Sequence, residues 1–224
     1  MLIEIKGLLN AAQLGKLHEI VARAGFQDGR ATAGEAAARV KNNEELAADA
    51  ETASLVNRIL MSALGHNARF RSAALPARMA DFIVARYRPG MTYGDHVDDP
   101  IMGAGGPRFR TDVSMTVFLN PPDSYDGGDL VVRTSFGEKR VKLAAGDAVV
   151  YPSSSVHHVA EVTRGERLVA LTWMQSFVRD AARRELLFEL DQAREELLNS
   201  QPDTEVTRHV DRSYVNLLRM WSDV

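Results

Sequence analysis

Apolar positions along this chain recur with two different periods. Leu14, Leu17, Ile20 and Val21 follow Asn10 at helical spacing and predict a capped helix over about 10–24. Leu46, Leu55, Ile59 and Leu60 repeat that spacing and predict a second helix over 44–64. The intervening GFQDGRATAGEAAARVKNN, residues 25–43, is small and polar and reads as a loop, while residues 2–6 alternate as an edge strand would. From 80 to 176 the period shortens to two. Short runs rich in Val, Ile, Phe, Thr and Tyr predict strands near 81–88, 94–97, 112–119, 129–134, 138–143, 147–151, 156–162 and 166–175. Eight short strands joined by DSYDGGD- and TSFGEK-type turns point to a double-sheet barrel, a jelly roll.

After residue 178 the helical period returns. Leu186, Leu187, Leu190 and Leu197 make an apolar stripe, Gln201-Pro202-Asp203 interrupts it, and a last helix is expected over about 204–221. The expected fold is therefore mainly β with flanking helices: two at the N-terminus, a β core over about 80–176, and a C-terminal helical segment. The natural division falls between 1–177 and 178–224, with the second part packed on the core or at an oligomer contact.

Composition narrows the chemistry. The chain has no cysteine, which excludes disulfides, zinc–thiolate sites, iron–sulfur clusters and thiol nucleophiles. Any bound metal must use His, Asp, Glu or backbone oxygen. A net charge of -3 offers no general attraction to nucleic acid or anionic membrane. Glu4 and Lys6 interrupt the N-terminal apolar run, so it does not read as a signal peptide, and no apolar run nears the roughly 20 residues of a membrane span. A cytoplasmic protein is the simplest expectation.

Three of the six histidines fall in the β-rich segment. In YGDHVDDP, residues 93–100, His96 and Asp98 share one side of an extended chain and can grip one ion. YPSSSVHHV, residues 151–159, supplies a histidine 59 or 60 residues after Asp98. Two imidazoles and a carboxylate form the facial triad of non-haem iron oxygenases and leave three coordination positions open. Alternation puts His157 and His158 on opposite faces and does not choose between them. Arg167 follows His157 by ten residues on the next predicted strand, where it can return beside the metal and bind a carboxylate in bidentate fashion. Ser114 and Thr116 alternate along one strand and are weaker candidates for the barrel interior. Trp173 reads as core, and His18, His66 and His209 as structural. PIMGAGGPRFR, residues 100–110, has no GK[ST] ending and reads equally as a loop over an entrance, with Arg108 and Arg110 near its end, or as an ordinary surface loop. Gly127-Gly128-Asp129 reads as a turn into a strand.

Four stretches together resemble the Fe(II)/2-oxoglutarate dioxygenases, specifically the bacterial PKHD-type hydroxylases with a prolyl 4-hydroxylase-like domain. They are RYRPGMTYGDHVDDP (86–100), RTDVSMTVFLNPPDSYDGGDLVV (110–132), VKLAAGDAVVYPSSSVHHV (141–159) and TRGERLVALTWMQSFVRD (163–180). The resemblance implies a double-stranded β-helix and iron ligation by His96, Asp98 and His157. It also implies 2-oxoglutarate binding by Arg167, with Tyr87 and Tyr93 reaching the co-substrate or lining its pocket. The implied reaction is hydroxylation with release of succinate and carbon dioxide, with Fe(II), 2-oxoglutarate and dioxygen required and ascorbate a candidate reductant. The substrate would be a small molecule or peptide, and a homo-oligomer through the C-terminal helices is the assembly expected. Two other readings use the same ligands. One is a non-catalytic barrel that senses iron or 2-oxoglutarate. The other is a cupin-like metallohydrolase, for which Glu161 is the nearest available base.

Overall fold

The computed structural model describes residues 1–103 and 106–223. Two antiparallel sheets face each other. The larger runs in the order Ile3–Ile5, Ala148–Pro152, Val113–Phe118, Arg167–Ser176, Ile83–Tyr87, Glu44–Ala47, Gly25–Asp28, with Pro76–Met79 also paired to Arg167–Ser176. The smaller runs Gly137–Val141, Leu130–Thr134, His157–Val159, Thr92–His96, Lys41–Asn42. This is the expected jelly-roll arrangement.

Period-2 sequences give each strand two faces, and the fold uses both. Tyr87, Phe118, Val132, Tyr151 and Val169 pack between the sheets. On the outer face of the large sheet, Ile5, Met115, Val117, Val150 and Ala170 meet Leu17, Leu60, Leu64 and Phe70 from the N-terminal helices. Strands buried on both faces read as nearly continuous apolar runs, as VSMTVF and AVVYP do.

The first helix, Ala11–Arg23, starts where expected. Asn10 accepts from the Gln13 backbone, and the Gln13 side chain accepts from the Asn10 backbone, a reciprocal capping box. The next segment departs from expectation. Residues 25–43 are not a plain loop: they contain the strands Gly25–Asp28 and Lys41–Asn42 and the short helix Glu35–Ala38. Residues 44–47 are a strand, and the helix runs Ala50–His66, with Asp49 capping the Thr52 N–H. Tertiary pairing decides this. Lys41 and Asn42 pair with Tyr93 and Thr92 of the small sheet, whereas Glu44 and Glu45 pair with Arg86 and Ala85 of the large one. The chain thus crosses between sheets at Asn43 and closes that side of the barrel, overriding weak local propensity. The helix Ala68–Ala74 and the strand Pro76–Met79 were not anticipated either. The expected strand 156–162 is two pieces, His157–Val159 and Val162–Arg164.

At the C-terminus, Ala181–Ser200 and Glu205–Trp221 flank the expected break at 201–203. Leu187 packs with Leu75, Val178, Tyr214, Leu217 and Trp221, and the buried Ser72 hydroxyl donates to Asp191 at 2.6 Å. Leu186, assigned to the apolar stripe, is exposed instead. No helix among the described residues is long and apolar enough to cross a membrane.

Candidate metal centre

The site begins with an irregularity in pairing. His157 lies opposite His96, but Val159 lies opposite Tyr93, so a step of two residues on one strand faces a step of three on the other. This bulge turns Tyr93 and His96 to the same side, where their rings stack at 3.7 Å and 11°. Asp98 follows just beyond the strand end. Its Oδ1 lies 3.9 Å from His96 Nε2 and 3.7 Å from His157 Nε2. The three ligand atoms lie within 4.8 Å of one another, the grouping a single ion can bridge.

Surrounding groups prepare this donor set. His96 Nδ1 is 2.8 Å from the Gly94 carbonyl and His157 Nδ1 is 3.0 Å from the Ser155 carbonyl. A carbonyl only accepts, so each Nδ1 carries the proton and each Nε2 directs its lone pair into the site. Burial, reinforced by the neighbouring His157, lowers the His96 pKa to about 4, which keeps that imidazole neutral and able to ligate. Ser114 donates to Asp98 Oδ2 at 2.5 Å and is itself 2.7 Å from the Ser153 hydroxyl. The carboxylate is thereby held with Oδ1 facing the imidazoles.

The triad opens on a cavity of about 450 Å³. Arg167 lines the same cavity, 1% exposed, opposite Tyr87 in register. Its guanidinium carbon lies 5.0 Å from the Tyr87 ring centre and 5.7 Å from that of Phe118. Among the described residues its Nε and Nη1 have no hydrogen-bond partner. A buried cation without an anion is costly, so this chemistry calls for an anionic ligand, for which a carboxylate is suitable. A two-imidazole, one-carboxylate donor set beside such an arginine fits Fe(II) with a dicarboxylic keto acid.

The other candidates fall as follows. Tyr87 and Tyr93 both line the cavity. Burial pushes the Tyr87 hydroxyl up to about 12, against the pull of Arg167, and also raises Tyr93, so both remain O–H donors. Ser114 and Thr116 do face inward. Trp173 is half-buried in the cavity wall, a departure from its expected place in the core. His158 points away from the triad, toward Asp95. His18 contacts the Leu119 carbonyl and His66 that of Ser62, while His209 lies beside Glu205. Glu161 is exposed and is not among the residues that line the cavity, so the base named for the hydrolase reading is not at this site. Ile101–Met102 and Phe109–Arg110 form a small ladder within the 100–110 stretch at the cavity mouth; residues 104 and 105 of that stretch lie outside the described residues.

Sequence reasoning missed the wall contributed by residues 32–43. Thr32, Lys41 and Asn43 line the cavity, and buried Lys41 pairs with Glu45 at 2.6 Å, where Thr32 also donates. Their polar run carries no period that could have announced them.

Fold and site together define a non-haem iron oxygenase that uses 2-oxoglutarate. The profile of the 2OG-Fe(II) oxygenase superfamily matches residues 82–175, and that of the PKHD-type hydroxylase C-terminal domain matches 180–223. A PKHD-type hydroxylase of Thioalkalivibrio sulfidiphilus is 52% identical over the whole of both chains, and one of Synechococcus elongatus is 44% identical over the whole of both. The chain belongs to the PKHD-type hydroxylases, enzymes of the 2OG-Fe(II) oxygenase superfamily. Among solved structures, a Pseudomonas putida prolyl-4-hydroxylase superposes with a TM-score of 0.52 at 23% identity, covering 78% of this chain and 92% of that one. A Trichoplax adhaerens prolyl hydroxylase in complex with a hypoxia inducible factor peptide fragment gives 0.56 at 16% identity, covering 83% and 86%. At these identities the likeness concerns the fold.

Proposed function

We propose that His96, Asp98 and His157 hold Fe(II), and that Arg167 pairs with the distal carboxylate of 2-oxoglutarate to support hydroxylation of a small-molecule or peptide substrate. One observation carries this: three prepared ligand atoms share one cavity with a buried guanidinium, two of whose nitrogens have no partner among the described residues. Bound iron and 2-oxoglutarate would supply the oxidising power from dioxygen, releasing succinate and carbon dioxide. The chain's own part is placement. Ser114 fixes the carboxylate, the Gly94 and Ser155 carbonyls fix the imidazole tautomers, and the Tyr87 and Tyr93 hydroxyls offer donors to the co-substrate. The barrel walls exclude bulk water from the deep end, where Arg167 sits.

The mouth bears on the substrate. Val97 and Ile101 are about half exposed on it, beside Met102, Ala33, Ala37 and Trp173. Such a collar suits a substrate that lays an apolar portion across the entrance. Residues 1–177 serve as the oxygenase domain in this reading, with 178–224 as its helical extension. Val206, Val215 and Met220, exposed on the last helix, are the surface through which a homo-oligomer would form. A cytoplasmic site of action and ascorbate as reductant belong to the same proposal.

Anaerobic Fe(II) titration with and without 2-oxoglutarate, followed by visible absorption, tests the core of it. A weak charge-transfer band that needs both components is expected. Iron binding without such a band would remove 2-oxoglutarate from the site.

A further inference from the structure

We infer that His158, Asp95 and Arg133 form an outer-face clamp that sets the spacing of the two metal-binding imidazoles, so His158 is a positioning residue and not a ligand. The inference rests on the metal reading above. It starts from the bulge. Where His96 faces His157, the small sheet has one residue too many on the Thr92–His96 strand, and the ladder is locally broken. The opposing strand, His157–Val159, has only three residues. Backbone pairing alone is therefore weakest where the register must be most definite.

Side chains on the opposite face supply the missing connection. His158 Nδ1 lies 3.0 Å from Asp95 Oδ1, directly behind His157 and His96 in sequence. Arg133 Nη2 lies 2.6 Å from Asp95 Oδ2, and its Nε is 3.7 Å from Glu138. Arg133 belongs to the Leu130–Thr134 strand, which pairs with His157–Val159 on its other side. One carboxylate thus ties three strands together across the bulge. A one-residue slip would turn His157 outward and His158 inward, because strand side chains alternate. The clamp opposes that slip at a position where the ladder cannot.

The test measures Co(II) binding from its visible ligand-field bands, alongside the melting temperature of the metal-free protein. Asp95→Ala and His158→Ala should each weaken cobalt binding about tenfold, the lower end for loss of outer-shell support. The double variant should bind no more weakly than either single one, because both remove the same link. Asp95→Asn keeps an acceptor for His158 but none for Arg133, and should recover only part of the affinity that Asp95→Ala loses. The control is Arg164–Asp126, another exposed cross-strand pair at 2.7 Å, between strands that carry no ligand. Arg164→Ala should leave cobalt affinity unchanged. Wild-type bands with unaltered affinity in Asp95→Ala would overturn this inference alone, as would an equal loss in Arg164→Ala. Absence of cobalt bands in the wild-type protein would overturn the metal reading and the clamp with it.

Discussion

Ser114 donates a hydrogen bond of 2.5 Å to Asp98 across 16 residues of sequence, and the acceptor is the carboxylate oxygen turned away from the two imidazoles. One oxygen of Asp98 is thus occupied by the protein, and the other faces the two imidazoles. Ser114→Ala removes that restraint and leaves Ser153 without its partner. We expect metal affinity to fall by about 10- to 100-fold, the usual range for an outer-shell partner, with the fold retained. Cobalt or zinc titration of the purified variant measures this; unchanged affinity would mean Asp98 needs no such support.

Arg167 gives a prediction in which stability and binding move in opposite directions. Its guanidinium is buried and two of its nitrogens lack partners. Replacing a buried, unpaired charge with an apolar side chain of similar length relieves a desolvation cost. Arg167→Met should therefore raise the melting temperature of the ligand-free protein. It should also abolish most of the added stability that 2-oxoglutarate confers on the metal-loaded wild type, a loss of about 2–5 kcal/mol in binding. Thermal melts with and without 2-oxoglutarate read both effects. A variant that melts lower but keeps its ligand-induced shift would assign Arg167 to structure only.

Adjacent histidines allow a direct comparison. His157 is buried with its Nε2 toward Asp98, whereas His158 faces the opposite side of the sheet. His157→Ala should eliminate iron binding and turnover together. His158→Ala should leave iron bound, at reduced affinity, with the keto-acid charge-transfer band still present. Reversal of the two phenotypes would exchange their assignments.

Much of this site was legible because its chemistry is concentrated in short motifs. His96, Asp98 and Arg167 lie on or beside strands whose period-2 pattern is strong; their spacing pointed toward a common centre, and the family resemblance supplied the full set with His157. The choice between His157 and His158 was not legible from alternation, since both faces of that strand carry apolar neighbours. The bulge opposite His158 decides which side chains turn inward, and a bulge leaves no periodic trace in sequence. The segment 25–47 was misread for a related reason. Lys41–Asn42 and Glu44–Ala47 form on edges that the sheets offer at Thr92–Tyr93 and Ala85–Arg86, Gly25–Asp28 then pairs with Glu44–Ala47, and no local signal in KNNEELA reports those distant edges. Trp173 reads as core from its strand, yet it lines the cavity; an enzyme cavity is also a largely apolar interior, and a tryptophan suits either.

Gly128 links the turn before its strand to the seat of Arg167. Its φ is +67°, in the left-handed region, and a Cβ there would sit 3.0 Å from Arg167 Cδ and 3.1 Å from a Tyr125 ring carbon. Gly7 has a similar φ of +60° but open space around it. Alanine at either position incurs the backbone cost, about 1–2 kcal/mol. Only Gly128→Ala also presses on the arginine. We therefore expect both variants to lose comparable stability in urea melts, with Gly128→Ala losing somewhat more. Gly128→Ala alone should weaken 2-oxoglutarate binding, because displacing the Arg167 stem moves the guanidinium off the line to the metal. Equal 2-oxoglutarate affinity in the two variants would show that the turn merely shapes the chain and does not seat the arginine.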